Sequence, residues 1–153
     1  MRQSPVSAQI DDVLPTATDG GGATLEQRTR DFVFKFNSSM SADSKVVLEA
    51  VRKFYAGQVD FYGKQFDNDE IAQDKANLVA RWPKRNYQAP NDEMTVNCYP
   101  DANICEVNSV VYWKVASVKR NKTASGVSQT VLRVDFNSGQ PKITCEYGEA
   151  LKR

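Results

Sequence analysis

One run constrains this chain more than any other: ICEVNSVVYWKVASVK, residues 104–119. Its alternation puts Cys105, Val107, Ser109, Val111, Trp113 and Val115 on one face and Glu106, Asn108, Tyr112 and Lys114 on the other, close to the period-2 signature of a half-buried strand. A strand of this length needs neighbours on both sides, and the flanking sequence supplies them. QAPNDEMTVNCY precedes it across a Pro100–Asp101 turn, and VSQTVLRVDF follows the polar turn KRNKTASG. KITCEYGEALK comes after the turn Asn137-Ser138-Gly139. Consecutive long strands with short links imply a strongly curved antiparallel sheet.

Ahead of the strands the period changes to that of helices. In LEQRTRDFVFKFNSSMS, Leu25, Phe32, Val33 and Phe36 form one stripe, with Met40 a turn beyond. Ser41 and Asp43 are caps for a second helix, ADSKVVLEAVRKFYAG, whose stripe is Val46, Val47, Ala50, Val51, Phe54 and Tyr55 and whose stop is Gly57. VDFYG then reads as a short strand, broken by Gly63. Asp67 and Glu70 form a D-x-x-E capping box for a third helix that runs to about Arg81 and stops before Pro83. The expected architecture is α+β, with three N-terminal helices packed in the concave face of the curved sheet. Residues 1–24, rich in Ser, Thr, Ala, Gly and Asp, read as a flexible tail or linker, and residues 25–153 as one folded domain.

Composition narrows the function classes. The chain has no histidine, which removes histidine triads, histidine general bases and most zinc and iron sites. Its net charge is +1 and its Lys and Arg are dispersed, so nucleic acid is not an expected partner. No apolar run reaches the ~20 residues that cross a bilayer, and the first residues lack the apolar stretch of a secretory signal. No cofactor or metal is expected. Of the three cysteines, Cys98 and Cys105 bracket the turn CYPDANIC, which brings the sulfurs face to face if the register is right. A disulfide, two free thiols and a metal knuckle are the alternatives there. The expectation is the bridge, which favours an oxidising compartment, with Cys145 free in the last strand. If the chain is exported, it is then a fragment or a processed form.

The third helix poses a question. Its apolar residues Ile71, Leu78, Val79 and Trp82 leave a gap at the stripe's middle, where Asp74 and Lys75 stand. At least one of these charges needs a partner or water. A snorkelling lysine beside a wet aspartate, a structural ion pair and the polar lining of a pocket all remain open. The pattern V-D-F-Y-G-K, then D-x-D-E-I-x-x-D-K, then R-W-P-x-R-x-Y resembles a bacterial, extracytoplasmic branch of the nuclear-transport-factor-like superfamily. These are also described as SnoaL-like or cystatin-like cone folds. Trp113 in a long strand, SGVS at 125–128 and ITCEYGEAL at the end agree with it.

The resemblance covers about residues 30–153. It implies a conical hollow that relatives use for small ligands, catalysis or subunit contacts. Tyr62, Asp74, Lys75, Arg81 and Trp82 match the branch's motif, and the branch carries no activity to transfer. Isomerases and cyclases of this fold use a pocket Asp or Tyr for proton transfer. Here Asp60, Tyr62, Asp135, Glu146 and Tyr147 are the available groups, without a diagnostic spacing, and no catalytic residue is assigned. The expected pocket lining is Tyr62, Asp74, Lys75, Trp82, Trp113 and Glu146. The expected function is a non-catalytic extracytoplasmic (periplasmic) accessory module that binds a small ligand or docks a partner domain. The alternatives are an assembly subunit of a secretion-type complex, with a homodimer through the sheet, and a small pocket enzyme.

Overall fold

The computed structural model describes residues 24–151, so the expected tail, Thr24 apart, lies outside the described residues. Thr24 caps α1 (Leu25–Met40) by accepting the Gln27 amide at 3.1 Å. Leu25, Phe32, Val33, Phe36 and Met40 are the buried stripe of that helix. Asp43 caps α2 (Ser44–Phe54), which buries Val47, Ala50 and Val51. The helix does not continue to Gly57. Tyr55 instead opens β1 (Tyr55–Phe61), and the Asn68 amide donates to the carbonyls of Val51 and Tyr55 at 3.1 and 3.0 Å, holding the helix-to-strand corner.

A second hairpin strand follows where only a loop was expected. Tyr62 and Gly63 both take positive φ, 53° and 82°, the geometry of a two-residue primed turn that matches strand twist, and β2 (Lys64–Asp67) pairs back on β1. α3 (Asn68–Arg81) begins with the full capping box between Asp67 and Glu70. Trp82 leaves helical geometry ahead of Pro83, as a pre-proline residue must. Next come β3 (Lys84–Gln88), a short 3-10 turn at Asn91–Glu93, β4 (Met94–Tyr99), β5 (Ile104–Ser117), β6 (Lys122–Asp135) and β7 (Lys142–Ala150). β3 was not foreseen, because its sequence KRNYQ shows no alternation of apolar residues.

The seven strands form one sheet in the order β2-β1-β7-β6-β5-β3, with β4 also pairing β5. β3 and β4 divide one edge of β5: β3 faces residues 112–116 and β4 faces residues 104–109. All pairings are antiparallel except β1 with β7, which is parallel. The helices cover the concave face, and the apolar core between the layers includes Val33, Val51, Val59, Ile71, Val107, Val134 and Ile143. Cys98 and Cys105 stand directly opposite each other in the β4–β5 register and form a disulfide, while Cys145 is a free thiol. Among the described residues no helix is long and apolar enough to cross a membrane.

Arg85 joins the helix ends to the sheet. It is 5% exposed, and its guanidinium donates to the carbonyls of Met40 at 3.1 Å and Trp82 at 2.8 Å, and also to those of Ala42 and Pro83. A buried cation thereby meets the orphan carbonyls where α1 and α3 end, the positions a helix dipole makes negative. Desolvation draws its pKa down, and the neighbouring phenol of Tyr87 and carboxylate of Asp43 oppose that fall.

Candidate functional site

The sheet side of the hollow is a matter of residue size. Along the concave face, β5 and β6 pair Cys105 with Val134 and Val107 with Leu132, which fills the space below the helices. The next rows are Ser109–Thr130–Gly148 and Val111–Ser128–Ala150, small residues across three strands. A cavity of about 430 Å³ opens above them, closed on the helix side by Val33, Phe36 and Met40 of α1 and by Lys75, Leu78 and Trp82 of α3. That volume lies within the range of small-molecule sites.

Five of the six residues expected to line a pocket border this cavity: Tyr62, Lys75, Trp82, Trp113 and Glu146. Asp74 does not, and its side is exposed. Of the two charges in the middle of the α3 stripe it is Lys75 that turns toward the hollow, while Ala72 is buried beside Ile71. Lys75 is half-buried, with its ammonium 5.5 Å from the Phe61 ring centroid, its stem along the hollow and its head above an aromatic face.

Glu146 is the chemical centre. It is 6% exposed, on β7 opposite Leu132 and Phe61. The Tyr55 hydroxyl donates to its Oε1 at 2.5 Å. Tyr62 approaches from the other side: its backbone N–H donates to the Glu146 carbonyl at 2.8 Å, and its phenol lies within the electrostatic reach of the carboxylate. Tyr62 as a whole is about half exposed. The left-handed backbone of Tyr62 is an unfavourable conformation for a bulky residue, and the hairpin turn and the Glu146 carbonyl hold it there. Burial first and the Glu146 carboxylate second raise the pKa of both phenols, and Asp74 adds to this from outside the cavity. Tyr87, also lining the hollow, is raised chiefly by burial.

Both tryptophans border the hollow. The Trp113 ring, from β5, lies against Gly126 of β6, where a Cβ would come within 2.6 Å of the indole, and its Nε1 donates to Ser128 Oγ at 3.1 Å. Glycine at 126 is therefore what lets the ring lie flat against the strand. Trp82 carries the Arg120 guanidinium 4.6 Å from its ring centroid, and Arg120 in turn donates to the Arg81 carbonyl at 2.7 Å. A wider groove of about 630 Å³ runs over the outer sheet face past Asn86, Lys114 and Ser125, without a buried ionisable group. Among the described residues no group of three or more His, Cys, Asp or Glu side chains could hold a metal ion.

Sequence reasoning missed Tyr55, assigned there to a helix stripe, and the rows of small residues. Both become visible only once distant strands are placed in register. Tyr62-Gly63 carried a local signal, a possible primed turn, that the absence of Asn or Asp obscured.

The layered cone of helices in a curved sheet is the architecture of nuclear-transport-factor-like, or cystatin-like, proteins. No family model matches the chain, and no curated protein matches it in sequence. Solved structures do match in fold. A nuclear-transport-factor-like superfamily protein from Salmonella enterica superposes with a TM-score of 0.69 at 9% identity, covering 84% of this chain and 92% of that one. A protein with a cystatin-like fold from Caulobacter vibrioides gives 0.66 at 4% identity, over 83% and 89% of the two chains. A structure described as a candidate scytalone dehydratase, from Novosphingobium aromaticivorans, gives 0.67 at 13% identity, over 83% and 84%. At such identities the likeness defines the fold and nothing finer.

Proposed function

We propose that this protein is a non-catalytic binding module of an extracytoplasmic compartment that holds a small, largely apolar ligand in its cone. The observation that carries the reading is the hollow itself: apolar and aromatic walls around a single deeply buried carboxylate, with few polar groups converging on one wall. Tyr62, Lys75, Trp82, Trp113 and Glu146 are its proposed contacts. The disulfide between Cys98 and Cys105 supports the oxidising compartment.

Binding suits these groups better than turnover. The phenols of Tyr55 and Tyr62 are held in their protonated form by burial and by Glu146, so neither is a base near neutral pH. Glu146 already accepts the Tyr55 hydroxyl, which fixes it in place as an acceptor. The chain has no histidine to take a proton in their stead.

The test uses N-phenyl-1-naphthylamine, a neutral dye that brightens in apolar surroundings. The wild-type protein is expected to bind it with saturable fluorescence gain. Ser109→Leu, which places a large side chain on the floor of the hollow, is expected to weaken binding at least tenfold while leaving the far-UV circular dichroism unchanged. Equal dye binding by wild type and a folded Ser109→Leu variant would sink the reading.

A further inference from the structure

Glu146 is a buried carboxylate without an ionic partner. Among the described residues the ion pairs are Arg30 with Glu26, Arg52 with Asp69 and Arg133 with Glu106, all away from the hollow. Lys75 is the cation that lines the cavity, and its ammonium is directed over the Phe61 ring and makes no ion pair with Glu146. A carboxylate offers roughly four acceptor positions; the Tyr55 hydroxyl takes one, and Glu146 borders the hollow with the others open. Removing a carboxylate from water without a counter-charge is costly, and hydroxyl donors offset only part of that cost.

The walls favour the same missing charge. Phe36, Tyr62, Trp82, Tyr87 and Trp113 all border the cavity. Aromatic faces attract cations through their quadrupoles, most strongly where water is excluded. Of the three charged side chains that border it, two are carboxylates, Glu146 and Glu149, against one lysine. An anionic ligand would therefore bring like charge onto a desolvated carboxylate. A neutral ligand would leave Glu146 without its counter-ion.

We infer that the cone takes an organic ammonium ion: a primary or secondary amine, protonated, on an apolar or aromatic body. The ammonium donates to the free acceptor positions of Glu146, and the body lies along the aromatic walls. A primary or secondary ammonium suits the site better than a quaternary one, because the open positions on Glu146 accept N–H donors. This inference rests on the cone being a ligand site, as proposed above.

Three probes of nearly equal size separate charge from shape: 2-phenylethylamine, 2-phenylethanol and 3-phenylpropanoate at neutral pH. Both tryptophans of the chain line the hollow, so intrinsic fluorescence reports occupancy directly, with calorimetry as the second readout. The amine is expected to bind at least tenfold more tightly than the alcohol, and the carboxylate more weakly than either. Glu146→Gln keeps the side-chain size and an acceptor for Tyr55, and it is expected to bring the amine and the alcohol to within twofold of each other. Glu149→Gln, which retains the buried carboxylate, is expected to keep the preference. The assignment is overturned if the alcohol or the carboxylate binds as well as the amine, or if folded Glu146→Gln retains the amine's advantage. Should Glu146→Gln fail to fold, the wild-type series alone decides. If none of the three probes binds while the naphthylamine dye still does, the ammonium assignment falls and the binding reading stands. Loss of dye binding as well removes both.

Discussion

The two halves of β5 alternate alike and do opposite things. In the first half, Cys105 and Val107 are fully buried against Val134 and Leu132, and the disulfide to Cys98 closes the neighbouring strand. In the second half, Ser109, Val111 and Trp113 meet Thr130, Ser128 and Gly126, and a cavity of about 430 Å³ lies above them. Nothing in the period changes between the two halves. What changes is side-chain volume in the rows of Ser109 with Thr130 and Val111 with Ser128, so that helices resting on the filled half stand clear of the other. A close-packed interior tolerates such a gap only where it is designed into the lining, because voids forfeit dispersion contacts. The lesson is that a strand's pattern decides which face is inside, and the size of its cross-strand partners decides whether that inside is core or site.

The sharpest break in this comparison comes from cutting volume in the filled half. Ile143 is fully buried opposite Val134. Ile143→Ala is expected to lose about 3 kcal/mol, the usual range for such a truncation being roughly 2–5. Thr130→Val, on the floor of the hollow, is expected to stay within about 0.5 kcal/mol. Urea unfolding followed by circular dichroism checks both. Similar losses at the two sites would mean that the hollow is packed as tightly as the core.

A smaller effect belongs to the covalent bond at the filled end. Cys98 and Cys105 close a short loop, and the unfolded-state entropy removed by a loop of that size is worth about 2.5 kcal/mol. The double substitution Cys98→Ser with Cys105→Ser is expected to lose that amount in denaturant unfolding. Because the bridge lies away from the hollow, dye affinity measured well below the unfolding transition is expected to change less than twofold. A large fall in dye affinity would show that the two halves of β5 are coupled.

Local signals account for what could be read from sequence. The capping box at Asp67 and Glu70 stood in the sequence because it needs only residues three apart. The β5 alternation and the opposed cysteines depend on near neighbours in the same way. The parallel contact of β1 with β7 was not legible, since Tyr55 and Ile143 are far apart in sequence, and that pairing is what turns Tyr55 from a helix residue into the hydroxyl that holds Glu146. Glu146 and Tyr62 could be suspected from the sequence, but not the Tyr55 hydroxyl that Glu146 accepts. On α3 the local spacing pointed to the two charges in the middle of the stripe but could not say which turns inward; Lys75 borders the hollow and Asp74 stays exposed.

The smallest effect appears only in alkali, and it isolates the hollow from the core. Tyr55 and Tyr62 both have pKa values above the ordinary phenol value of about 10. The folded state therefore keeps protons that the unfolded state releases once pH passes about 10. Their contribution to stability is fully present below that value and declines as pH rises toward the folded-state values. Stability is accordingly expected to be flat with respect to these groups through neutral pH and to fall above pH ~10. Tyr55→Phe removes the fully buried phenol, so its unfolding midpoint in denaturant is expected to decline less steeply over that alkaline range, even if it starts lower because Glu146 has lost a donor. Tyr99→Phe, an exposed phenol outside the hollow, is the control and is expected to leave the alkaline slope as it is in the wild type. Equal slopes for wild type and Tyr55→Phe would mean that burial and the Glu146 carboxylate together do not hold the Tyr55 phenol protonated, and with it would go the picture of a buried hydroxyl donating to Glu146.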